Sequence, residues 1–153
     1  IRFRRGGDVK PVVVETDVHP GFMTDWQQPL IVALTQAHGT STVHETVYEN
    51  RLGFTQALNK MGADIVVHPE GIASPDRRVA RRALEQAAVV NGPTPLHGAD
   101  VVVPDLRGGY SYVIAALAAE GEATVRNVEI IRRGYEKFLD KLTALGADFD
   151  VLE

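Results

Sequence analysis

The chain has 153 residues, 44% of them apolar and 24% charged, with 14 Gly, 8 Pro and a net charge of −4. That composition is globular, and the acidic balance argues against a nucleic-acid or acidic-membrane binder that works by bulk positive charge. The absence of Cys excludes disulfides, thiolate metal sites and a Cys nucleophile within this sequence. No apolar run approaches the ~20 residues of a membrane-spanning helix. Arg outnumbers Lys twelve to four, a bias suited to gripping carboxylate or phosphate groups with a planar fork. The sequence opens Ile1-Arg2-Phe3 without Met, so the expectation is a piece of a longer protein.

In chain order, the apolar stretch Pro11–Glu15 reads as a strand closed by the turn His19-Pro20-Gly21. Thr24 followed by Gln27 has the spacing of a capping box. The helix it opens runs to about His38, with Leu30, Ile31, Leu34 and Ala37 on one face and Gly39 as its stop. Thr40–Tyr48 is rich in β-branched residues and reads as a strand. A helix over about Arg51–Met61 ends at Gly62, and Ala63–His68 is the next strand.

Residues 70–99 form a hairpin-like insertion containing Arg77, Arg78, Arg81 and Arg82, the apolar Ala87–Val90 and the turn-rich Asn91-Gly92-Pro93-Thr94-Pro95. The Arg cluster has two readings, an anion or nucleic-acid patch and a charged edge strand protected from association. The acidic net charge favours the second. Beyond it, Asp100–Val103 is a strand, Leu106–Glu120 a helix stopped by Gly121, and Thr124–Glu129 a strand. Tyr135–Leu145 is a helix stopped by Gly146, and Phe149–Leu152 is the last strand.

The two halves repeat. Gly39, Thr42 and Val43 match Gly121, Thr124 and Val125, Arg51 matches Arg133, and Asp25 falls on Arg107. After a two-residue slip, Met61-Gly62-Ala63-Asp64 matches Leu145-Gly146-Ala147-Asp148. The organisation expected is an α/β chain forming part of one domain over 1–153. A first β-α-β-α-β unit covers 11–69, the insertion 70–99, and a second unit 100–153.

Right-handed crossovers place all strand-to-helix turns at one end of a sheet, where ligands of open α/β sheets collect. Asp25, Arg51, Arg107 and Arg133 are expected there, one at each helix start. An Arg at a helix N-terminus opposes the macrodipole by up to about 1 kcal/mol. Three such placements make sense if an anion sits among them. Each Arg could instead pair with a neighbouring carboxylate such as Glu49 or Asp105. Asp25, the acidic member of the set, is able to accept a proton from a substrate hydroxyl, or simply favours a first helical turn. The five His residues (His19, His38, His44, His68 and His97) lack metal-type spacing. His44 and Glu45 are adjacent on a strand, face opposite ways and form no dyad.

The segments Gly21-Phe22-Met23-Thr24-Asp25-Trp26-Gln27, Glu45-Thr46-Val47-Tyr48-Glu49-Asn50-Arg51, Pro104-Asp105-Leu106-Arg107 and Arg133-Gly134-Tyr135-Glu136 resemble the enolpyruvyl transferase family, specifically its UDP-N-acetylglucosamine 1-carboxyvinyltransferases. The likeness covers almost the whole chain apart from the insertion. It implies an inverse α/β barrel built from β-α-β-α-β-β units, two domains with substrates between them, and a chain that is part of the C-terminal domain. The activity implied is transfer of the enolpyruvyl group from phosphoenolpyruvate to the 3-hydroxyl of UDP-N-acetylglucosamine with release of phosphate, in bacterial peptidoglycan synthesis in the cytoplasm. No cofactor, metal, nucleic acid or membrane is implied.

Carried over by motif, Asp25 contacts the sugar 3-hydroxyl as its base and the backbone at Val47 touches the amino sugar. Arg51, Arg107 and Arg133 bind phosphoenolpyruvate, and Glu49 and Asp105 line the site. A loop Cys or Asp and a phosphate-binding Lys belong to the other half, so the chain by itself is expected to be inactive. Two departures from the family are the length of Glu70–Ala99 and Arg132 in place of an acid. The alternatives are a 5-enolpyruvylshikimate-3-phosphate synthase-like transferase and a non-catalytic module of the same fold.

Overall fold

A computed structural model of the protein describes residues 6–72 and 86–152. The cluster Arg77, Arg78, Arg81 and Arg82 lies outside the described residues. The first half contains β1 (Val13–Glu15), a single 3-10 turn (Thr24–Trp26), α1 (Gln27–Leu34), β2 (Gly39–Glu45), α2 (Thr55–Lys60) and β3 (Asp64–His68). The second contains β4 (Gln86–Gly92), β5 (Asp100–Val102), α3 (Leu106–Ala118), β6 (Thr124–Arg126), α4 (Glu129–Arg132) and α5 (Phe138–Ala144).

Four strands form one sheet in the order β1-β2-β4-β3, with β1 parallel to β2 and β4 antiparallel to both its neighbours. The stretch read as part of an insertion therefore supplies a central strand. Its register sets Ala88 opposite both Val43 and Val67, and Val90 opposite both Ser41 and Ile65. Ala87, Ala88 and Val90 are buried, as a strand with partners on both sides requires. Among the described residues, strand β5 pairs only with β6, in parallel. Thr42 lies beside Val13 and its repeat mate Thr124 beside Asp100, so each half has a parallel β-α-β crossing at matching phase.

Several expected boundaries move. Helix α1 ends at Leu34 rather than His38, and Gly39 opens β2. Residues 49–54 are turn, so α2 starts at Thr55 and not at Arg51. The helix expected over Tyr135–Leu145 is only α5, and Phe149–Leu152 forms no strand. The core is continuous across both halves. Ile31, Leu34, Val43, Leu58, Val90, Val101, Val103, Tyr112, Ile131 and Phe138 all belong to it.

Candidate anion site at the strand ends

Strand β2 alternates exposed and buried residues at its start and then buries Val43, His44 and Glu45 in succession. Both of its faces are covered where the chain leaves the sheet, and there Glu45 becomes a hub. It is fully buried. Its Oε1 accepts hydrogen bonds from the Thr16 hydroxyl at 3.0 Å and from the backbone N–H groups of Val47 at 2.8 Å and Tyr48 at 3.0 Å. Its Oε2 accepts from the Thr24 hydroxyl at 2.8 Å and Gln27 Nε2 at 2.7 Å. Five donors converge on one carboxylate, which suits an acceptor-only group and removes the penalty of leaving it unpaired.

This arrangement corrects the capping-box reading. Thr24 and Gln27 have the right spacing, but neither side chain caps α1, whose N-terminus has no side-chain cap. Both turn to Glu45 instead. The 3-10 turn bearing Asp25 and the turn bearing Tyr48 and Arg51 are thereby tied to the same carboxylate.

Arg51 Nη2 donates to Asp25 Oδ1 at 2.8 Å, and Arg107 Nη1 lies 3.6 Å from the same oxygen. The Arg51 side chain is only 13% exposed, whereas Asp25 and Arg107 are 51% and 55% exposed, so the cluster opens to solvent on the Asp25–Arg107 side. Both guanidiniums stand 5.9 Å from the centre of the Tyr48 ring, within cation–π range. A hydrogen bond with the Tyr48 hydroxyl, and then the charge of Asp25, raise Arg107 above the ordinary arginine value. Its charge is secure. Arg51 Nε is buried with no hydrogen-bond partner among the described residues.

The expectation of one Arg per helix start holds for Arg107 alone. It sits in the first turn of α3, capped by Asp105, whose Oδ1 accepts from Gly108 N at 2.8 Å. Arg51 lies in a turn ahead of α2, and Arg133 is the C-cap of α4, where a cation complements the dipole. The carboxylate partner of Arg51 is Asp25, not Glu49 or Asp105. Glu49 is exposed and forms no ion pair among the described residues, and Arg133 likewise. Arg133 makes no ion pair with Asp25 and so does not join the cluster among the described residues, although the next residue, Gly134, packs on Leu106: a Cβ added to Gly134 would stand 2.6 Å from Leu106 Cδ1. Beside this contact Tyr110 and Tyr135 stack at 5.1 Å. Val47 is half-buried and its N–H is engaged by Glu45, which leaves its carbonyl and side chain for other contacts.

Helix α3 docks on α1 at Gly108. A Cβ there would meet Gln28 Oε1 at 2.6 Å, while Gln28 Nε2 donates to the Arg51 carbonyl at 3.4 Å. A side chain at this position would have to displace the Gln28 amide from its place between the two helices. Gln28 therefore touches both the Arg51 turn and the first turn of α3. From the sequence, Tyr48 and Gln28 have no site role, and Glu45 is weighed only as a dyad partner of His44. The partners of Glu45 other than Val47 and Tyr48 lie 18 to 29 positions away, so no local spacing marks it.

Among the described residues no group of His, Asp and Glu could hold a metal ion, and no helix is long and apolar enough to cross a membrane.

The sequence model of EPSP synthase (3-phosphoshikimate 1-carboxyvinyltransferase) matches residues 1–142. The chain belongs to that family. It is 50% identical over 140 residues to the UDP-N-acetylglucosamine 1-carboxyvinyltransferase of Protochlamydia amoebophila, covering 92% of this chain and 30% of that protein. The enzyme of the same name from Chlamydia trachomatis serovar D is 50% identical over 137 residues, 89% of this chain and 31% of that protein. The chain thus spans about a third of the length of the curated relatives it matches.

Among solved structures, the enolpyruvyl transferase NikO from Streptomyces tendae superposes with a TM-score of 0.77 at 29% identity, over 94% of this chain and 30% of that one. The EPSP synthase from Acinetobacter baumannii superposes at 0.55 and 17% identity, over 84% and 26%, a likeness of fold alone. The α/β architecture, with its mixed sheet, is that of the enolpyruvyl transferases.

Proposed function

We propose that the protein contributes one wall of the active site of a UDP-N-acetylglucosamine enolpyruvyl transferase. The reading is supported by the half-identical relatives that carry that name. The observation that carries it is the convergence of Arg51, Arg107 and Asp25 at the carboxyl ends of the strands. Two guanidiniums meet at one carboxylate there, with Asp105 a further negative charge acting on Arg107, and the half-exposed Arg107 fork faces solvent on the side where an anion would dock.

In this mechanism Arg51, Arg107 and Arg133 hold the carboxylate and phosphate of phosphoenolpyruvate. Asp25 accepts the proton of the sugar 3-hydroxyl as that oxygen bonds to C2 of phosphoenolpyruvate, while C3 takes up a proton from a donor outside this chain. In the second step the C2–O bond to phosphate breaks, C3 loses a proton, and inorganic phosphate leaves. The backbone at Val47 meets the amino sugar, and Glu49 and Asp105 line the cleft, Asp105 chiefly by fixing the first turn of α3. Preorganised cations facing the charge that develops in such additions usually contribute most to the rate. The remaining wall, including the loop residue and Lys, is assigned to the rest of a longer polypeptide. The reaction would open peptidoglycan synthesis in the bacterial cytoplasm.

The test uses the protein as its gene encodes it. Phosphate release is followed with phosphoenolpyruvate and either UDP-N-acetylglucosamine or shikimate 3-phosphate as acceptor. Turnover with the amino sugar nucleotide supports the proposal. Turnover with shikimate 3-phosphate alone reassigns the substrate, and turnover with neither leaves a binding module.

A further inference from the structure

We infer that Glu45 is a positioning residue that locks Asp25 and Arg51 into one rigid unit; the inference rests on the transferase reading above. Asp25 belongs to the 3-10 turn after β1, and Arg51 to the turn after β2. Neither turn has a regular ladder to hold it. Glu45, at the last position of β2, grips both. Thr24 and Gln27, which flank Asp25 and Trp26, donate to Oε2, and the backbone of Val47 and Tyr48 donates to Oε1. Thr16 fastens the hub to the end of β1: its hydroxyl donates to Glu45 while accepting from Thr46 N at 2.9 Å, and its carbonyl accepts from the Thr46 hydroxyl at 2.6 Å.

One buried carboxylate therefore sets the separation between the group proposed to accept the proton and the group proposed to hold the anion. A catalytic constellation held this way needs its supporting residues in place to within a fraction of an ångström.

The chemistry of the donors makes a graded test possible. With Glu45→Gln, the amide oxygen must stay on the Oε1 side, because the Val47 and Tyr48 N–H groups cannot turn round. The new NH2 then faces Thr24 and Gln27. The Thr24 hydroxyl can rotate to accept, and Gln27 can flip to present its Oε1, which is buried without a partner among the described residues. Glu45→Ala offers no such repair. Since a misplacement of 1 Å costs on the order of 10²-fold in rate, Glu45→Ala should lower kcat by about 100-fold and raise KM for phosphoenolpyruvate, with Glu45→Gln intermediate. Thr24→Val, which loosens only the Asp25 side, should lower kcat several-fold at unchanged KM.

Amide hydrogen exchange gives a readout independent of turnover. In Glu45→Ala the Val47 and Tyr48 amides should exchange at least about 10-fold faster while the β2–β4 ladder stays protected, the pattern of a local opening. A role in stability alone would lower the folded fraction, leave KM unchanged and speed exchange throughout. Wild-type KM and undisturbed Val47 and Tyr48 amides in Glu45→Ala would overturn the proposal. If that variant does not fold, unchanged kcat in both Glu45→Gln and Thr24→Val overturns it. A wild-type protein without transferase activity removes the transferase reading, and the exchange result then decides the coupling by itself.

Discussion

Replacing Arg51 by Ala separates a structural role from a role in anion binding, because the two predict losses of different size. For folding, the variant gives up an ion pair with Asp25, which is half exposed. Solvent screening holds such a pair to about 1 kcal/mol or less. The Tyr48 ring contact at 5.9 Å adds about 0.5–1 kcal/mol. The fold should therefore survive with a loss of about 1–2 kcal/mol. For the reaction, Arg51 is 13% exposed, and truncating one partner of a desolvated charge pair costs about 2–5 kcal/mol. At about 1.4 kcal/mol per factor of ten, kcat/KM for phosphoenolpyruvate should fall about 30-fold to several thousand-fold. Arg51→Lys keeps the charge but loses the fork, and should recover most of the stability and only part of the rate. The assay is steady-state phosphate release at varied phosphoenolpyruvate, with urea unfolding on the same samples. A kcat/KM that falls no further than the folded fraction refutes the anion assignment.

Arg107→Ala and Arg133→Ala, both at more exposed positions, should lower kcat/KM for phosphoenolpyruvate toward the smaller end of the same range, about 2 kcal/mol each, by the same phosphate assay. Asp25→Asn should reduce kcat by about 10²–10⁴ with the circular dichroism spectrum unchanged; near-normal kcat would make Asp25 only the counter-ion of Arg51. Gly108→Ala drives a Cβ to 2.6 Å from Gln28 Oε1 and should cost about 1–3 kcal/mol of stability in thermal or urea unfolding, with part of the loss restored by adding Gln28→Ala. Asp100 is held below the ordinary carboxylate value by its hydrogen bonds from Arg126. Its contribution to stability is present above the unfolded-state value near pH 4 and is lost as pH falls through the lower folded-state value. Arg126→Ala should flatten that acid limb of a Tm-against-pH curve by lowering Tm slightly above about pH 4 while leaving the strongly acid end unchanged.

What the sequence makes legible is what local spacing encodes. The strand expected over Thr40–Tyr48 appears as Gly39–Glu45, Ile31 and Leu34 of the expected helix face are buried with Ala37 just beyond the helix and Leu30 partly buried, and the matching phases of Thr42 and Thr124 reappear in the fold. Of the four residues the repeat placed together, Asp25, Arg51 and Arg107 converge, and Arg133 forms no ion pair with Asp25 among the described residues. Non-local competition is not legible. Thr24 and Gln27 satisfy a capping-box spacing, and a helix start is the best partner visible within four residues. A buried carboxylate 21 and 18 positions away offers a charge-assisted bond, about twice as strong as a neutral one, and takes both side chains. The central position of β4 was hidden for a similar reason. Its flanks are rich in Arg, Gly and Pro, which look like a surface excursion, while its pairing with β2 and β3 is set by partners far along the chain.

The site belongs to neither repeat by itself. Asp25 and Arg51 come from the first copy and sit on the sheet through Glu45, whereas Arg107 comes from the second and reaches Asp25 only because α3 docks on α1. At the contact Gly108, with its bare Cα, leaves room for the Gln28 amide, and Gln28 in turn contacts the carbonyl of Arg51. Duplication of one unit supplies equivalent positions, but equivalence would place like charges together at the seam. The asymmetric pair, Asp25 in one copy and Arg107 in the other, makes the seam attractive rather than repulsive. It also leaves the Arg107 guanidinium half exposed beside Asp25, on the side from which the proposed anion would approach.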